Sequence, residues 1–390
     1  MHRVVSLTVP ITTGGLLEVL LILLLILCIT VLLQQPAAAA QSKASEHAPA
    51  VCALTQADVT VNSKQAEWIS ESALKQAVGY ILAAQQRDGA ILVAPTQGRI
   101  VPYFANYAAF GLIAAHQLGL NANALPAAQR WIRWYANHMD EHGYVHDYSG
   151  FYPLYQDTGD MDSTDAYAGT FLALVWRYYQ VTRDDEFLRS LEKPVRQAVA
   201  AILSTMNADY LTWAKPTYKV KYLMDNLEVW FGFVAAVNIA AVLELPEADE
   251  WAQVADKTAT AVKTRYIVPG KPYLASSIGS SGAQTARFDR LYPDALANLL
   301  YLTFVGDAAS AADRALFATV YDTFYKELPT DQGAAVHVWT AQAACVVGDV
   351  EAFNRISPLI MHPDLHKGTA HSLAAVLRMA AALQGEPLWF

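Results

Sequence analysis

The sequence predicts an all-α fold, an (α/α)6 toroid or barrel of about six helical hairpins. From about residue 66 onward, apolar residues recur at three- and four-residue spacing in nearly every segment, which is the periodicity of helices. Segments that are apolar nearly all round alternate with amphipathic segments. A helix of the first kind must be buried and one of the second kind is half exposed, so alternating pairs predict two concentric rings.

The helical segments follow one another in the order that a ring of hairpins requires. The segments that are apolar nearly all round are 103–119, 163–181, 225–245, 293–305, 334–347 and 369–384. The amphipathic segments are 124–139, 185–206, 247–266 and 308–326, and segments 66–86 and 350–360 complete the pairs. Polar or Gly-bearing turns close the pairs. Near-repeats such as QQRDGAI (85–91) and DEHGYV (140–145) indicate duplicated hairpins.

Residues 1–40 predict a signal peptide or an N-terminal membrane anchor. Residues 16–33 are almost wholly apolar, and their uninterrupted part, 19–33, is shorter than the roughly 20 residues that span a bilayer. Three alanines at 38–40 supply small residues for signal cleavage. Either alternative places the rest of the chain outside the cytoplasm, with membrane contact only through an uncleaved N-terminus. We expect 41–65 to form an extended leader and 66–390 to form the toroid domain.

Composition limits the classes of partner and cofactor. The formal net charge is −9 and no dense run of Lys or Arg occurs, which argues against a nucleic-acid partner because such a partner needs a basic surface. No spacing of Cys and His predicts a zinc site, and we expect no metal and no cofactor. Cys28 lies in the N-terminal apolar run. Whether Cys52 and Cys345 pair in an oxidising compartment stays open.

Four long loops precede buried helices: 93–107, 148–167, 211–230 and 273–296. Long loops within a compact domain are usually functional. In three of them, acids fall at the helix start, and these are Asp162, Asp165, Asp225, Glu228, Asp289 and Asp294. Helix capping explains any single acid, but it does not explain all six, nor Asp157 and Asp160 in the same loop as the first pair.

Aromatic side chains surround these acids. The residues that we expect to contact substrate are Tyr103, Tyr155, Asp157, Asp160, Trp213, Tyr222, Trp230, Asp289 and Tyr292. Sugar rings have apolar faces that lie against Tyr and Trp, and their hydroxyls bond to carboxylates. Cleavage of a glycosidic bond needs one carboxylic acid to protonate the leaving oxygen and one carboxylate to activate water or attack carbon. The pattern therefore predicts a carbohydrate substrate.

Three stretches resemble the six-hairpin glycosidase superfamily: PYFANYAAFGL (102–112), the run DSTDAYAGTFLALVWRYYQVTRDDEFL (162–188) and MDNLEVWFGF (224–233). The resemblance covers about residues 66–384. It implies a glycosidase, and it carries catalytic roles to Asp162, Asp165, Asp225 and Glu228. The chain departs from some members because its first inner helix, PYFANY, has no carboxylate at its start. This departure leaves open which acid donates the proton, and whether the protein is catalytic.

Within this set we expect Asp162 to face the pocket and Asp165 to cap its helix. We expect Glu228 to donate the proton, because its longer side chain reaches farther from the first helical turn, and Asp225 to bind substrate. The predicted function is an exported glycoside hydrolase acting on an oligo- or polysaccharide. Asp162→Asn and Glu228→Gln are expected to lower turnover by orders of magnitude while the fold is kept.

Three other functions stay open. A glycan-binding or exopolysaccharide-assembly protein of the same fold binds without turnover. A polysaccharide lyase uses a Tyr or His base with a cation that neutralises a uronate, and Lys215, Lys219 and Lys221 lie near tyrosines in the third loop. The stretch DMDST at 160–164 resembles the DxD(D/S)T pattern of class II terpene cyclases. The histidines expected to face solvent in a C-terminal loop are His362, His366 and His371.

Overall fold

The computed structural model describes residues 70–325, 334–360 and 369–387. All the described residues belong to one compact unit of the chain. The predictions about the N-terminal segment and the leader therefore lie outside the described residues. The same holds for the predictions that concern Cys28, Cys52, His362 and His366.

The described residues contain thirteen α-helices in two concentric layers. In chain order they are α1 (Glu71–Ala84), α2 (Pro102–Gln117), α3 (Ala124–Asn137), α4 (Thr164–Thr182), α5 (Asp185–Ser190), α6 (Glu192–Thr205), α7 (Leu223–Leu243), α8 (Ala248–Arg265), α9 (Leu296–Val305), α10 (Ala311–Phe324), α11 (Ala334–Val347), α12 (Val350–Ile360) and α13 (Ala370–Ala382). Helices α2, α4, α7, α9, α11 and α13 form the inner layer. Each inner helix contacts the next and α13 contacts α2, which closes the ring. The predicted (α/α)6 toroid is confirmed.

The inner helices are those whose sequences are apolar on all sides. Inner helix α7 buries 15 of its 21 residues, whereas the amphipathic outer helix α8 buries six of its 18. Among the described residues, α7 is also the one helix long and apolar enough to cross a membrane. Its burial inside the ring accounts for that composition.

One predicted helix, 185–206, is divided in the structure. Helix α5 ends at Ser190 and α6 begins at Glu192. Pro194 explains the break, because its ring excludes the carbonyl of Ser190 and it has no N–H to donate. A second difference precedes α9, where a five-residue π-helical turn spans Leu291–Ala295.

Two small antiparallel sheets lie in the loops that join outer to inner helices. The first contains β1 (Arg99–Ile100), β2 (Tyr148–Ser149) and β3 (Gln156–Asp157), and the second contains β4 (Val220–Tyr222), β5 (Ser277–Gly279) and β6 (Gln284–Thr285). Arg99 pairs with Ser149, so the first sheet joins the loops before α2 and α4. Lys221 pairs with Ile278, so the second sheet joins the loops before α7 and α9.

The longest connections enter the N-terminal ends of the inner helices. They span 85–101, 138–163, 206–222 and 266–290. The connections from inner to outer helices are short, at 118–123, 183–184, 244–247, 306–310 and 348–349. The end of the ring where the inner helices begin, with its long loops, is called the mouth below. It is where the sequence places the unusual acids and aromatics.

The near-repeat QQRDGAI and DEHGYV marks equivalent turns against neighbouring outer helices. Gly89 has a φ of +105° and lies against α3, where an added Cβ would approach the Arg130 carbonyl oxygen to 2.5 Å. Gly143 has a φ of +81° and lies against α6, where the corresponding distance to the Gln197 carbonyl oxygen is 2.2 Å. Both positions need glycine for the same two reasons, positive φ and close backbone contact.

A pair of glycines brings inner helices α4 and α7 into close contact. A Cβ added at Gly232 would lie 2.6 Å from the Cα of Gly169, and one added at Gly169 would lie 2.6 Å from the Glu228 carbonyl oxygen. Gly169 follows Asp165 by four residues, and Gly232 follows Glu228 by four. The crossing therefore lies about one helical turn below the acids and holds the two acidic helix starts together.

Candidate active site

A cavity with two lobes opens at the mouth. The first lobe has a volume of about 480 Å³ and the second about 410 Å³. Five residues line both lobes and so form the boundary between them: Asp162, Ser163, Met224, Asp225 and Tyr292. The first lobe is completed mainly by aromatic and apolar side chains of α2, α4, α11 and α13. The second is completed by side chains of the loop before α7.

Two carboxyl groups, one just before α4 and one in the first turn of α7, line this boundary. Asp162 lies in the loop directly before Ser163, the N-cap of α4, and its side chain is exposed. Asp225 lies in the first turn of α7 and is half-buried. The N-cap of α7 is Tyr222, which makes no side-chain capping bond. Asp225 is therefore not the cap of its helix, and its carboxyl belongs to the cavity wall.

Asp162 is held in place by a chain of hydrogen bonds that crosses three elements. Its backbone N–H donates to the Tyr167 hydroxyl at 3.3 Å. That hydroxyl donates to Asp147 Oδ1 at 2.8 Å, and the guanidinium of Arg99 donates to Asp147 Oδ2 at 3.2 Å. These hydrogen bonds fix the backbone of the loop before α4, and the Asp162 side chain lines the cavity.

Asp165 is buried beneath the boundary and joins α4 to the loop before α7. Its carboxylate accepts bonds from the Ser163 hydroxyl at 2.6 Å, the Thr212 hydroxyl at 2.6 Å and the Ala166 N–H at 2.8 Å. The cap of α4 is Ser163, whose hydroxyl accepts from Ala166 at 3.1 Å. The expectation that Asp165 itself caps the helix is therefore wrong, because Ser163 is the cap and the Asp165 carboxylate is a buried acceptor within the first turn.

Glu228 is also buried and lies outside the lining of both lobes. Its Oε1 accepts a hydrogen bond from the Tyr103 hydroxyl at 2.7 Å and a second from the Tyr107 hydroxyl. Both tyrosines belong to α2. Tyr103 lines the first lobe and separates Glu228 from it. The expectation that Glu228 reaches into the pocket is wrong. Hydrogen bonds from the two tyrosine hydroxyls hold its carboxyl group outside the cavity.

The carboxyl group of Asp225 at the boundary has a raised pKa. Burial raises the pKa of the Asp225 carboxyl well above its ordinary range. The nearby carboxyl groups of Asp165, Glu228 and Asp162 raise this pKa further. A hydrogen bond with the Ser163 side chain lowers it. Asp225 is therefore a carboxylic acid that keeps its proton at a pH where an exposed aspartate is ionised.

The two buried acids behave in the same way. Burial raises the pKa of Asp165 to about 6, against the hydrogen bonds that it accepts. Burial raises the pKa of Glu228 to about 8, and the hydrogen bonds from Tyr107 and Tyr103 oppose the rise. The buried guanidinium of Arg378 on α13 also lowers the pKa of Glu228. This arginine was not singled out in the sequence.

The structure brings some of the predicted substrate contacts together and separates others. Tyr103 and Tyr292 line the first lobe, and Tyr222 and Tyr292 line the second. Asp160 is exposed and accepts a bond at 2.8 Å from Lys215, which lines the second lobe. The predicted substrate contacts that lie outside the lining of both lobes are Asp160 itself and Tyr155, Asp157, Trp213, Trp230 and Asp289.

Each of these separated residues has another environment. The Tyr155 hydroxyl bonds to Asp88, and Trp213 packs under Lys221, whose Nζ lies 4.5 Å from the ring centre. Asp157 pairs with His146 at 2.9 Å. Trp230 is buried in the ring, and Asp289 is exposed on the loop before α9. Aromatic and acidic composition alone did not distinguish these residues from those that converge on the cavity.

Sequence reasoning missed several residues of the first lobe. These are Arg99, Phe104, Tyr167, Trp339 and His371. His371 begins α13 rather than lying in a solvent-facing loop, so that prediction is wrong. Its ring packs against those of Phe104 and Tyr107 with ring centres 5.2 and 5.1 Å apart, and burial lowers its pKa to about 3. The Thr369 capping box at the start of α13 is the sequence feature that indicates this placement.

The lysines of the third loop do not converge on one site. Lys215 pairs with Asp160 at the second lobe, whereas Lys221 is buried and pairs with Asp209 at 2.6 Å. Lys219 is exposed. Within residues 70–325, 334–360 and 369–387, no group of three or more His, Cys, Asp and Glu side chains is arranged to hold a metal ion.

The fold is similar to those of solved glycosidase structures. One, described as a wild-type glycosidase, gives a TM-score of 0.59 at 14% identity over 83% of this chain and 99% of its own. The β-1,3-1,4-glucanase from Paenibacillus sp. X4 gives 0.57 at 12%, over 86% and 95%. A reducing-end-xylose releasing exo-oligoxylanase gives 0.57 at 11%, over 87% and 98%.

No protein-family model matches the chain, and no curated protein matches its sequence. The likeness to the solved structures therefore rests on three-dimensional form, at identities that establish the fold alone. The chain has the helical toroid fold of these glycosidases.

Proposed function

We propose that the protein is an exported glycoside hydrolase that cleaves an oligo- or polysaccharide, with Asp225 as general acid and Asp162 as the second carboxylate. The observation that carries the proposal is that two carboxyl groups at the starts of separate inner helices lie at the boundary between two lobes of one cavity. A glycosidic bond has a sugar on each side, so a bond placed at the boundary has a lobe for each sugar.

The environments of the two carboxyl groups fit the two roles. A general acid must hold a proton near its working pH, and burial together with neighbouring carboxyl groups raises the pKa of Asp225. The second carboxylate must be ionised and reach water or the anomeric carbon, and Asp162 is exposed at the same boundary. Proton transfer by a positioned acid contributes about 10²–10⁴-fold to the rate.

The role first expected for Glu228 passes to Asp225 in this proposal. The two residues lie on one face of α7, three positions apart, but Asp225 faces the cavity and Glu228 lies beneath it. In the proposal Glu228 acts through its neighbour, because its carboxyl is one of the groups that raise the pKa of Asp225. It is a positioning residue that tunes the acid and does not touch the sugar.

The lining of the lobes supports a sugar ligand. Tyr103 and Trp339 in the first lobe and Tyr222 in the second offer rings against which the apolar faces of pyranoses can pack. The cations at the cavity, Arg99 and Lys215, are each paired with an aspartate. This pairing favours a neutral or amino sugar over a uronate. The activities named for the similar structures, on glucans and xylo-oligosaccharides, support the same substrate class.

Export is part of the proposal and rests on two observations. The apolar N-terminal segment followed by small residues fits a signal peptide or anchor. Cys345 on inner helix α11 is disulfide-bonded, and structural disulfides persist in oxidising compartments outside the cytoplasm.

A turnover screen tests the proposal. Purified protein is incubated with β-glucan, xylan, chitosan and pectin, and new reducing ends are measured for wild type and Asp162→Asn. We expect wild type to release reducing ends from at least one glycan and Asp162→Asn to lose at least about 100-fold of that rate. Asp157→Asn is the matched control, because it removes a carboxylate of the same loop that lies outside the cavity.

A different result favours the non-catalytic alternative. The start of α2 carries Tyr103 where some glycosidases place an acid, so a protein that binds glycans without cleaving them is the second candidate. Binding of one glycan with no reducing ends released from any glycan would replace the hydrolase with a glycan-binding or assembly protein.

A further inference from the structure

Exposed apolar side chains concentrate around the mouth. In the described parts of the chain, seven large apolar side chains are exposed: Phe151, Tyr152, Leu154, Leu203, Tyr218, Ile267 and Tyr292. Tyr218 and Tyr292 line the cavity, and three others, Phe151, Tyr152 and Leu154, form the tip of the hairpin between β2 and β3. Single exposed apolar residues are ordinary, whereas grouped ones mark binding surfaces. The grouping at the mouth therefore indicates a binding surface.

The hairpin tip is connected to the first lobe through β1. Arg99 lines that lobe and pairs with Ser149 of β2. The residue before it, Gly98, accepts a backbone bond from Gly150 at 2.6 Å, and the Phe151 ring packs so closely that an added Cβ on Gly98 would lie 2.7 Å from it. The tip is therefore fixed beside the lobe through the strand that carries Arg99.

A hydrogen bond to the loop before α2 also anchors the tip. The backbone N–H of Tyr152 donates to the Gln86 side chain at 3.3 Å, in the loop before α2. Tyr152 and Phe151 are 43% and 46% exposed, and Leu154 is 81% exposed. An apolar surface that is both exposed and held by its backbone is preorganised for contact, since little ordering entropy is lost when a ligand lies on it.

We infer that Phe151, Tyr152 and Leu154 form a distal platform for the part of a polymeric glycan that extends out of the first lobe, so that the protein acts within long chains. The identity of the ligand rests on the proposed function. Tyr218 and Tyr222 lie at the second lobe, on the other side of Asp162 and Asp225. Aromatic surface on both sides of the boundary accommodates a chain that continues in both directions from the cleaved bond.

The chemistry of the platform favours sugar over a charged ligand. Its three side chains are uncharged, and Arg99, on the strand that pairs with β2, is itself paired with Asp147 at 3.2 Å. Tyrosine presents a flat apolar ring with a hydroxyl at its edge, which suits a pyranose with an apolar face and polar rim. The platform predicts affinity that grows with chain length and depends little on salt.

The test measures binding and cleavage across a ladder of chain lengths. The probes are purified oligosaccharides of increasing length and the polymer of the glycan that binds or is cleaved in the panel. The double variant Phe151→Ala/Tyr152→Ala is compared with wild type and with Leu203→Ala, which removes an exposed apolar side chain of α6 outside both lobes. Dissociation constants are measured on the Asp162→Asn background, so that no probe is consumed.

We expect the double variant to weaken binding of long chains about tenfold and to raise KM for them by the same factor, with the shortest chain unaffected. Leu203→Ala is expected to match wild type on every probe. Equal affinity of the double variant and wild type for long chains would overturn the platform, as would an equal loss on the shortest chain. Long-chain binding that needs Phe151 and Tyr152 without any turnover keeps the platform and removes only the hydrolase.

Discussion

At the residue scale, the acids at the starts of α4 and α7 are divided by their depth below the mouth. Asp162 and Asp225 lie at the cavity boundary, while Asp165 and Glu228 lie beneath it. Burial and nearby like charge both favour the protonated form of a carboxyl group, and both raise the pKa of Asp225. After burial itself, the two buried acids Asp165 and Glu228 are the largest contributions to the raised pKa of Asp225.

Glu228 gives this arrangement a measurable effect on stability. Its pKa is raised to about 8 from an ordinary value of 4.5. Between these values the folded protein binds the proton more tightly than the unfolded chain does, so the free energy of unfolding falls as pH rises through the window. We expect Glu228→Gln to flatten that fall between pH 6 and 8 by up to about 1 kcal/mol per pH unit.

The measurement is the midpoint of urea unfolding at several pH values for wild type and Glu228→Gln. Asp165 and Asp225 have raised pKa values as well and contribute slopes of the same sign. The exposed Glu141→Gln is the control and should leave the wild-type slope unchanged. A Glu228→Gln slope equal to that of wild type would mean that Glu228 is already ionised at pH 6, which contradicts its burial.

Residue spacing predicted which acids come together but not which of them faces the ligand. Asp225 and Glu228, three positions apart, share one face of α7 in any helical description. What separates them is the clamp from Tyr103 and Tyr107, which are 125 and 121 residues away in the chain. These hydrogen bonds join residues that become neighbours only when the ring closes, so no local sequence pattern predicts them.

At the element scale, the site depends on the close crossing of α4 and α7. Gly169 and Gly232 allow these helices to approach backbone to backbone one turn below the acids. Asp165 and Asn226 then reach the same residue of the intervening loop. The Thr212 hydroxyl donates to Asp165 at 2.6 Å, and the Thr212 N–H donates to Asn226 at 2.7 Å. The crossing and the loop together set the separation of Asp162 and Asp225.

A methyl group at the crossing should separate the two helices. Gly232→Ala places a Cβ 2.6 Å from the Cα of Gly169, so backbone must move. We expect a loss of about 1–3 kcal/mol in unfolding free energy and a fall in kcat on the best glycan of at least tenfold. Thermal and urea unfolding and steady-state kinetics measure the two effects.

Gly79→Ala is the matched control for this change. Gly79 lies within outer helix α1 and no atom lies within 4 Å of an added Cβ. Alanine is the better helix former by roughly 1 kcal/mol, so this variant should be at least as stable as wild type with unchanged kinetics. Wild-type stability in Gly232→Ala would show that the helices are not in contact at this point.

Helices could be predicted from the sequence, whereas the strands could not. The inner helices have 10 to 21 residues with continuous apolar character, which a periodicity reading detects. The strands have two or three residues each, too short for any alternation to be seen. They form because two loops lie side by side in the closed ring, and they position Arg99 and Tyr222 at the two lobes.

At the scale of the whole molecule, the candidate catalytic and binding residues lie at one end of the ring. Every inner helix begins at the mouth, and the long loops before α2, α4, α7 and α9 meet there. Loop length and acid placement predicted this end correctly. The membership of the cavity was predicted in part, because Tyr103, Tyr222 and Tyr292 line it while Trp213 and Trp230 lie elsewhere.

We propose that Asp225 donates a proton to the leaving oxygen of a glycosidic bond while Asp162 acts from the same boundary. The most direct test compares Asp225→Asn with wild type on two substrates that share one sugar: the natural glycan, and an aryl glycoside whose acidic phenol leaves without protonation. The account predicts that Asp225→Asn lowers kcat on the glycan by about 10²–10⁴-fold and on the aryl glycoside by less than about tenfold. Asp162→Asn should lose activity on both. An equal loss on both substrates in Asp225→Asn would contradict the account, because the residue would then be needed for something other than protonating the leaving group.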